Sequence, residues 1–248
     1  MKGIILAAGK GTRLRPLTRT QPKCLVNVAG KPMMEYQLDA LNKASIRECV
    51  IVVGYLSNVV RDHFGSRYMG IDLTYVENPD YRNSNNLYSL WLARGHFDDD
   101  ILLLESDLVF DDRLVTQLAH LSEDDVAVVD AFQDHMDGTV ILAEGDKATS
   151  MVLKANQGPE FDYESALKTV NIYRLSKETL RRTIVPGMEE SLEERQADQY
   201  YESVFASLIG SGDLEMTVMN TGNIRWTEVD DLRDIGNAEE MFSAAAIR

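Results

Sequence analysis

The sequence predicts an α/β protein with a Rossmann-like, mixed but mainly parallel sheet that is flanked by helices. Short, continuous apolar runs recur through the first half of the chain, and such runs are typical of parallel strands that are buried on both faces. Segments with apolar residues at helical spacing separate these runs. The 248 residues contain no linker, internal repeat or low-complexity segment, so we expect a single domain over residues 1–248.

The elements of the first half alternate between strand and helix, which predicts parallel β-α-β units. Pro32 suits the start of a helix on which Met34, Leu38 and Leu41 share one face. Ser84 is the candidate N-cap of a later helix. The predicted order is a strand at 3–7, a helix from 32, strands at 48–55 and 71–79, a helix at 84–94 and a strand at 101–107.

The second half is richer in strands, and we expect some of them to be antiparallel. The predicted elements are strands at 126–132, 139–143, 150–154 and 168–175, a helix near 189–209, strands at 215–219 and 226–229, and a helix from about 231. The helix near 189–209 could support a homodimer, although no sequence feature requires one.

Composition excludes several classes of partner. The net charge of −15 argues against nucleic acid and against an anionic membrane surface, because both favour a basic protein. No apolar stretch approaches the roughly 20 residues that a membrane span needs. Cys24 and Cys49 form neither a disulfide framework nor a zinc-binding spacing, so we expect a reduced, cytoplasmic protein.

Charge is segregated at the start of the chain, where several Lys and Arg residues precede Glu35, the first acidic residue. The loop after the first predicted strand contains Gly9, Gly11 and Arg13. Glycines let backbone N–H groups approach phosphate oxygens, and fixed cations supply the counter-charge. The loop matches neither a Walker motif nor a dinucleotide fingerprint. A tight turn on a solvated basic face is the alternative interpretation.

Acidic residues are expected at the same edge of the sheet as this basic loop. In open α/β sheets, ligands bind outside the carboxyl ends of the strands. That edge gathers the loop 9–23, the loop that carries Gly54 and Tyr55, and the strand end that carries Glu105 and Asp107. The convergence of cations and carboxylates favours a ligand site over a solvated face.

The motifs "LAAGKGTRLRPLT" and "QPKCLVNVAGKPMMEY" closely resemble the signature of sugar-phosphate-type nucleotidylyltransferases. "VIVVGY", "ESDLVF" and "WTEVDD" extend the resemblance. The segments "NNLYSL", "KTVNIYRLS" and "YYESVF" are similar to the phosphocholine and 2-aminoethylphosphonate cytidylyltransferase branch. The resemblance implies a nucleotidyltransferase fold in which residues 1–110 bind the nucleotide. Residues 111–248 would then bind the acceptor and carry a second metal-binding aspartate.

The implied reaction is attack of an acceptor oxygen on the α-phosphorus of a nucleoside triphosphate, with release of pyrophosphate. The preference for CTP comes from the resemblance alone. Arg13 and Lys23 are the candidate catalytic residues, because they can stabilise the charge on the transferring and leaving phosphates. The amides of Asn85 and Asn86 suit a cytosine edge, or they bond to their own backbone at a helix start. The candidate nucleotide-binding residues are Leu6, Ala7, Ala8, Gly9, Gly11, Thr12, Gly54, Tyr55, Asn85 and Asn86.

A triphosphate in an acidic protein calls for Mg²⁺, which one or two carboxylates usually hold. Asp107 is a candidate ligand at the end of a strand, and Asp230 matches the second metal aspartate of the family. Asp231 is adjacent to it, although it also suits the N-terminus of the last helix. Glu105 and Glu228, two residues before the proposed ligands, support the metal or are ordinary charged strand ends.

The acceptor is expected to be a small phosphonate or phosphate, with 2-aminoethylphosphonate as the first choice. The loop after Phe132 lacks the aromatic residue that would cradle a quaternary ammonium, which favours a primary amine. Phosphocholine, a sugar 1-phosphate, and a non-catalytic nucleotide-sensing or scaffold role remain as alternatives. The candidate acceptor-binding residues are Asp134, Asp137, Lys168, Tyr173 and Glu228, with Tyr173 and Tyr201 alternatively in the core.

Overall fold

A computed structural model describes residues 1–195 and 197–243 of the chain. A mixed sheet of ten strands forms its centre, in the order β10-β11-β13-β9-β12-β7-β1-β4-β6-β5. The strands are β1 (Lys2–Ala7), β2 (Asn27–Val28), β3 (Lys31–Pro32), β4 (Glu48–Val53), β5 (Arg67–Tyr68), β6 (Ile71–Glu77), β7 (Ile101–Glu105), β8 (Leu108–Phe110), β9 (Val126–Ala131), β10 (Val140–Glu144), β11 (Lys147–Val152), β12 (Leu167–Leu175), β13 (Thr217–Asn220) and β14 (Trp226–Glu228).

The helices surround this sheet and the two short strand pairs. They are α1 (Met33–Lys43), α2 (Ser57–Phe64), α3 (Asn86–Leu92), α4 (Arg113–His120), α5 (Lys177–Thr179), α6 (Val185–Arg195), α7 (Tyr201–Ser211) and α8 (Leu232–Phe242). A π-helical turn at Leu180–Ile184 joins α5 to α6. In the part of the chain that the structure describes, none of these helices has the length and apolarity that crossing a bilayer requires.

The first half of the sheet is parallel, as its apolar runs predict. β1 pairs in parallel with both β4 and β7, and β4 pairs in parallel with β6. Successive residues of β1 enter different cores: Ile5 packs with Leu38 of α1, and Ile4 packs with Leu90 of α3. Both faces of the strand are therefore apolar, which explains why its sequence does not alternate.

The second half mixes strand directions. β12 lies antiparallel between β7 and β9, and β13 pairs in parallel with β9. β8 and β14 form a separate antiparallel pair. The predicted mixed α/β fold with flanking helices is confirmed, with most of the parallel pairing in the first half.

Two predicted local features are wrong. The predicted helix near 189–209 is two helices, α6 and α7, because residues 197–199 instead pair with the start of α3: Ala197 and Gln199 accept hydrogen bonds from the N–H groups of Asn85 and Leu87. The N-cap of α3 is Asn85 rather than Ser84, whose hydroxyl donates to the backbone oxygen of Asp80. Helices α2 and α4, for which no bounds were predicted, complete the β-α-β units.

Candidate active site

A large cleft lies at the carboxyl edge of the parallel strands, where the sequence places the basic loop and the acidic strand ends. Its volume is about 1310 Å³. Its lining includes the loop after β1, the start of α3, and residues from β9 to β12 and around β14. Single small-molecule pockets usually have volumes of roughly 300–1,000 Å³, so this cleft has room for two substrates.

The loop after β1 is held in a defined shape by glycine and by a tyrosine. Gly11 has a φ of +57°, and a Cβ there would lie 2.8 Å from the Cβ of Lys23, so both the turn and the close approach require glycine. The hydroxyl of Tyr55 donates to the backbone oxygens of Thr18 (2.9 Å) and Arg19 (3.1 Å). Tyr55 thus supports the loop, and it does not line the cleft.

Backbone pairing brings two distant aspartates together. Asp107 lies in the turn between β7 and β8, and Asp230 follows β14. β8 and β14 pair so that Leu108 lies opposite Glu228, and the N–H of Val229 donates to the backbone oxygen of Asp107 at 2.9 Å. The two carboxylates consequently face the same part of the cleft.

The cations of the first loop contact these carboxylates directly. Lys23 Nζ lies 2.7 Å from Asp107 Oδ2 and 2.8 Å from Asp230 Oδ1. Arg13 Nη2 lies 2.6 Å from the same oxygen of Asp230, although 69% of the Arg13 side chain is exposed. Burial alone would lower the pKa of Lys23, but Asp107 and Asp230 outweigh that effect and hold its pKa above the usual value.

Three carboxylates in the cleft have the spacing of a metal site. Oxygens of Asp107, Glu228 and Asp230 lie within 4.8 Å of one another. Asp107 Oδ1 is buried and accepts no hydrogen bond from the residues that the structure describes. A buried carboxylate oxygen without a donor is suited to a cation, and hard oxygen donors are the ligands that Mg²⁺ prefers. Burial raises the pKa of Glu228 to about 7. The nearby carboxylates of Asp107 and Asp230 also raise this pKa, whereas Lys168 lowers it.

Lys168 is a second cation in the cleft. Its side chain is 3% exposed, and its Nζ donates to the backbone oxygen of Thr169 at 2.8 Å. The same Nζ lies 3.7 Å from Glu228 Oε2. The backbone of Gly138 lies close to this ammonium. Its φ is +105°, and a Cβ added there would lie 3.3 Å from Lys168 Nζ. A buried lysine with free N–H groups can hold an anionic oxygen at this point of the cleft.

The amide of Asn86 is already used by protein groups. Its Nδ2 donates to Glu105 Oε1 (2.9 Å) and to Glu202 Oε2 (3.3 Å), and its Oδ1 accepts from the N–H of Tyr201 (2.9 Å). Contact with a nucleotide base would have to replace these bonds. Burial is the main cause that raises the pKa of both Glu105 and Glu202.

Glu202 is a cleft residue that the sequence analysis missed. It stands in α7 beside the buried residues Tyr201, Val204 and Phe205, and it is only 6% exposed. A charged side chain among buried apolar neighbours was the available signal, because such burial requires a compensating partner.

The structure brings most of the predicted residues to the cleft and leaves some away from it. Those that line it are Leu6, Ala7, Ala8, Gly9, Gly11, Thr12, Arg13, Lys23, Asn85, Asn86, Asp107, Asp137, Lys168, Glu228 and Asp230. Tyr173 takes the alternative position that the sequence left open, since its side chain is 0% exposed and packs against Tyr201 and Phe205 in the core. Asp134, Gly54 and Tyr55 do not line the cleft either.

Two further carboxylates that the sequence suggested, Asp137 and Asp231, are also bonded to protein groups. Asp137 pairs with Lys154 and also accepts from the N–H of Gly138. These bonds hold the pKa of Asp137 below its usual value despite burial, which acts to raise it. Asp231 is the N-cap of α8 and forms a capping box with Asp234, so its carboxylate serves the helix. The expectation that Asp231 suits that helix start is confirmed.

Comparison with proteins of known sequence places the chain among relatives that act on phosphonates and phosphates. It is 36% identical over 245 residues to the CMP-5'-(3-aminopropyl)phosphonate synthase of Streptomyces rubellomurinus. The aligned region covers 98% of this chain and 39% of that protein. It is 39% identical over 115 residues to the 2-aminoethylphosphonate cytidylyltransferase of Lancefieldella rimae, 46% of each chain. The matched regions thus cover less than half the length of either relative.

Solved structures repeat the fold over the whole chain. The CTP:phosphocholine cytidylyltransferase of Streptococcus pneumoniae superposes with a TM-score of 0.80 at 26% identity, over 98% of this chain and 99% of that one. The inositol-1-phosphate CTP transferase of T. maritima, at 21% identity and a TM-score of 0.74, shares the fold. The family model described as "Nucleotidyl transferase" matches residues 2–247. With that match running nearly from end to end, this chain belongs to the nucleotidyl transferase family.

Proposed function

We propose that this protein is a CTP-dependent cytidylyltransferase that transfers CMP to a small phosphonate or phosphate and releases pyrophosphate, with 2-aminoethylphosphonate as the first-choice acceptor. One observation carries the proposal: Arg13 and Lys23 meet the carboxylates of Asp107 and Asp230 in a cleft large enough for two substrates. We also propose a cytoplasmic location, because Cys24 and Cys49 are buried and are not bonded to each other.

In this proposal the half formed by residues 1–110 binds the nucleotide. The loop around Gly9 and Gly11 offers backbone N–H groups to the phosphates, and the small residues Ala7 and Ala8 permit close approach of the nucleoside. Asn85 is better placed than Asn86 for a base contact. Among the described residues, its side-chain amide makes one hydrogen bond, in which Oδ1 accepts from the N–H of Asn86.

The half formed by residues 111–248 binds the acceptor beside Lys168. An anionic phosphonate oxygen near this ammonium would lie close to the carboxylates of Glu228 and Asp230. A phosphate monoester is largely dianionic near neutral pH, since its second pKa is about 6, so such an acceptor needs no general base. The acceptor oxygen then attacks the α-phosphorus in line, and the bond to pyrophosphate breaks.

Arg13 and Lys23 stabilise the charge that moves onto the leaving pyrophosphate. Both are cationic donors in a cleft, where electrostatic stabilisation is stronger than in water. Asp107 and Asp230, together with Glu228, would hold Mg²⁺, and the ion would supply positive charge to neutralise the phosphates.

Besides its phosphonate or phosphate group, the proposed acceptor carries a primary amine. The relatives from S. rubellomurinus and L. rimae carry aminopropylphosphonate and aminoethylphosphonate in their names. Phe132, the last aromatic before the loop at 133–138, stacks on Tyr163 with ring centres 4.4 Å apart instead of lining the cleft. The carboxylates of Glu105 and Glu202 line the same cleft and favour a cationic group there.

The test is pyrophosphate release from each nucleoside triphosphate with Mg²⁺ and a panel of acceptors. We expect the fastest release with CTP and an aminoalkylphosphonate, and slower release with phosphocholine or glucose 1-phosphate. Faster release with phosphocholine would overturn the choice of acceptor. Absence of release with every pair would overturn enzymatic function and favour a scaffold.

Two variants test the assigned chemistry. Arg13→Ala and Lys23→Ala should each lower turnover by roughly 100-fold or more, as when a preorganised donor worth about 3 kcal/mol is lost. Arg15→Ala is the matched control, because Arg15 belongs to the same loop but does not line the cleft. Near-normal turnover in both test variants would refute the assignment.

A further inference from the structure

The ammonium of Lys23 occupies the space between two of the three proposed metal ligands. Its Nζ lies 2.7 Å from Asp107 Oδ2 and 2.8 Å from Asp230 Oδ1, and its side chain is 13% exposed. A second cation, Arg13, lies 2.6 Å from the same Asp230 oxygen. One oxygen of Asp107 and one of Asp230 are thus already paired with cations of the protein.

This arrangement and a metal bound to the same oxygens are mutually exclusive. Mg²⁺ binds carboxylate oxygens at about 2.0–2.1 Å and requires nearly octahedral geometry. An ammonium that remained within hydrogen-bond distance of both oxygens would lie a few ångströms from the metal, in a partly buried site where like charges repel strongly. A metal that bridges Asp107 Oδ2 and Asp230 Oδ1 therefore requires Lys23 to leave these two oxygens.

We propose that Lys23 is a resident counter-cation that keeps divalent metal out of the nucleotide-free protein, and that the metal enters when phosphates draw Lys23 away. The inference rests on the proposed function only in naming phosphate as the second partner of Lys23. Lys23 then has two alternative anionic partners, the aspartates and the phosphates. Metal and nucleotide binding are coupled, and by linkage each raises the affinity for the other by the same factor.

The surroundings of Lys23 favour this exchange over a fixed structural ion pair. Lys23 and both aspartates line the cleft, so phosphates can reach the ammonium without rearrangement of the core. The backbone of Lys23 is anchored in a short helical turn, where Val26 N–H donates to its carbonyl oxygen. Rotation of a flexible lysine side chain is therefore sufficient to move the ammonium.

The test measures metal binding and needs no turnover. Mn²⁺ binding to the nucleotide-free protein is followed by electron paramagnetic resonance for the wild type, Lys23→Met and Lys43→Met. Methionine keeps most of the length of the lysine side chain and removes its charge. We expect Lys23→Met to bind Mn²⁺ more tightly by a factor on the order of ten or more, the scale usual for coupled sites. Lys43 pairs with Asp112 outside the cleft, so its variant should match the wild type.

Unchanged or weaker Mn²⁺ binding by Lys23→Met would overturn the inference, because a purely structural lysine leaves a less ordered site when it is removed. If the methionine variant does not fold, Lys23→Gln provides the same comparison. Failure of the proposed function has a different readout: pyrophosphate release is absent, while the Mn²⁺ comparison still reports on Lys23.

Discussion

The hydrogen bonds of Asn86 make a charge-sensitive prediction. Asn86→Asp preserves the shape of the side chain and the acceptor for the N–H of Tyr201, but it removes both N–H donors to Glu105 and Glu202. It also adds a third carboxyl group to a buried acidic pair. Since each buried group left without its partner costs about 1–3 kcal/mol, the two losses together should cost about 2–6 kcal/mol of unfolding free energy.

The pH dependence distinguishes this mechanism from simple loss of packing. Burial raises the pKa of both Glu105 and Glu202 in the folded protein, and the introduced carboxylate raises them further. Groups with raised folded pKa values bind more protons when folded than when unfolded, so stability increases as pH falls toward their unfolded pKa values. The loss of unfolding free energy caused by Asn86→Asp should therefore become smaller as the pH falls from about 8 to about 5.5.

The assay is urea unfolding followed by circular dichroism at both pH values, with Asn85→Asp as the matched control. Asn85 is the N-cap of α3, and aspartate caps helices about as well as asparagine. The control should thus stay within about 0.5 kcal/mol of the wild type. Equal losses in the two variants, or a deficit for Asn86→Asp that does not change with pH, would refute the reasoning.

Three further substitutions test local features of the fold. Gly54→Ala should lower the unfolding free energy by about 1–3 kcal/mol in urea titrations, because its Cβ would lie 2.7 Å from Tyr81 Cβ and 2.9 Å from the oxygen of Ala8; wild-type stability would show that the loops adjust freely. Asp231→Ala should cost about 1 kcal/mol and Asp231→Ser much less, since serine retains the cap; thermal melting compares them. Tyr173→Phe should change neither stability beyond about 0.5 kcal/mol nor the KM for the acceptor, because the buried hydroxyl has no hydrogen-bond partner among the described residues; a severalfold increase in KM would return Tyr173 to the acceptor site.

Much of the site could be predicted from the sequence, because its residues lie in segments that are each recognisable locally. The glycines and cations of the first loop follow directly on a buried strand, and Asp107 follows another. The rule that ligands bind at the carboxyl ends of parallel strands was sufficient to bring these segments together. This rule was not sufficient to place Asp230. Only the resemblance of its segment to a family motif connected it to Asp107.

Side-chain pairing and burial could not be predicted, because they depend on contacts between distant segments. Asn86 resembled a base-reading residue until its partners on α7 were known. Tyr173 is part of a strand whose two faces are both covered, so its position in "KTVNIYRL" did not reveal whether it faced a ligand or the core.

The sequence by itself determined the α/β class, the parallel strands of the first half and the identity of the charged groups in the first loop. These depend on local apolar runs, glycine spacing and charge, which the sequence displays directly. The tertiary structure alone decided that helix α6 ends before α7, that Glu202 enters the cleft, and that Lys23 lies between Asp107 and Asp230. The physical reason is that each of these depends on contacts between residues far apart in the chain, and local sequence carries no record of such contacts.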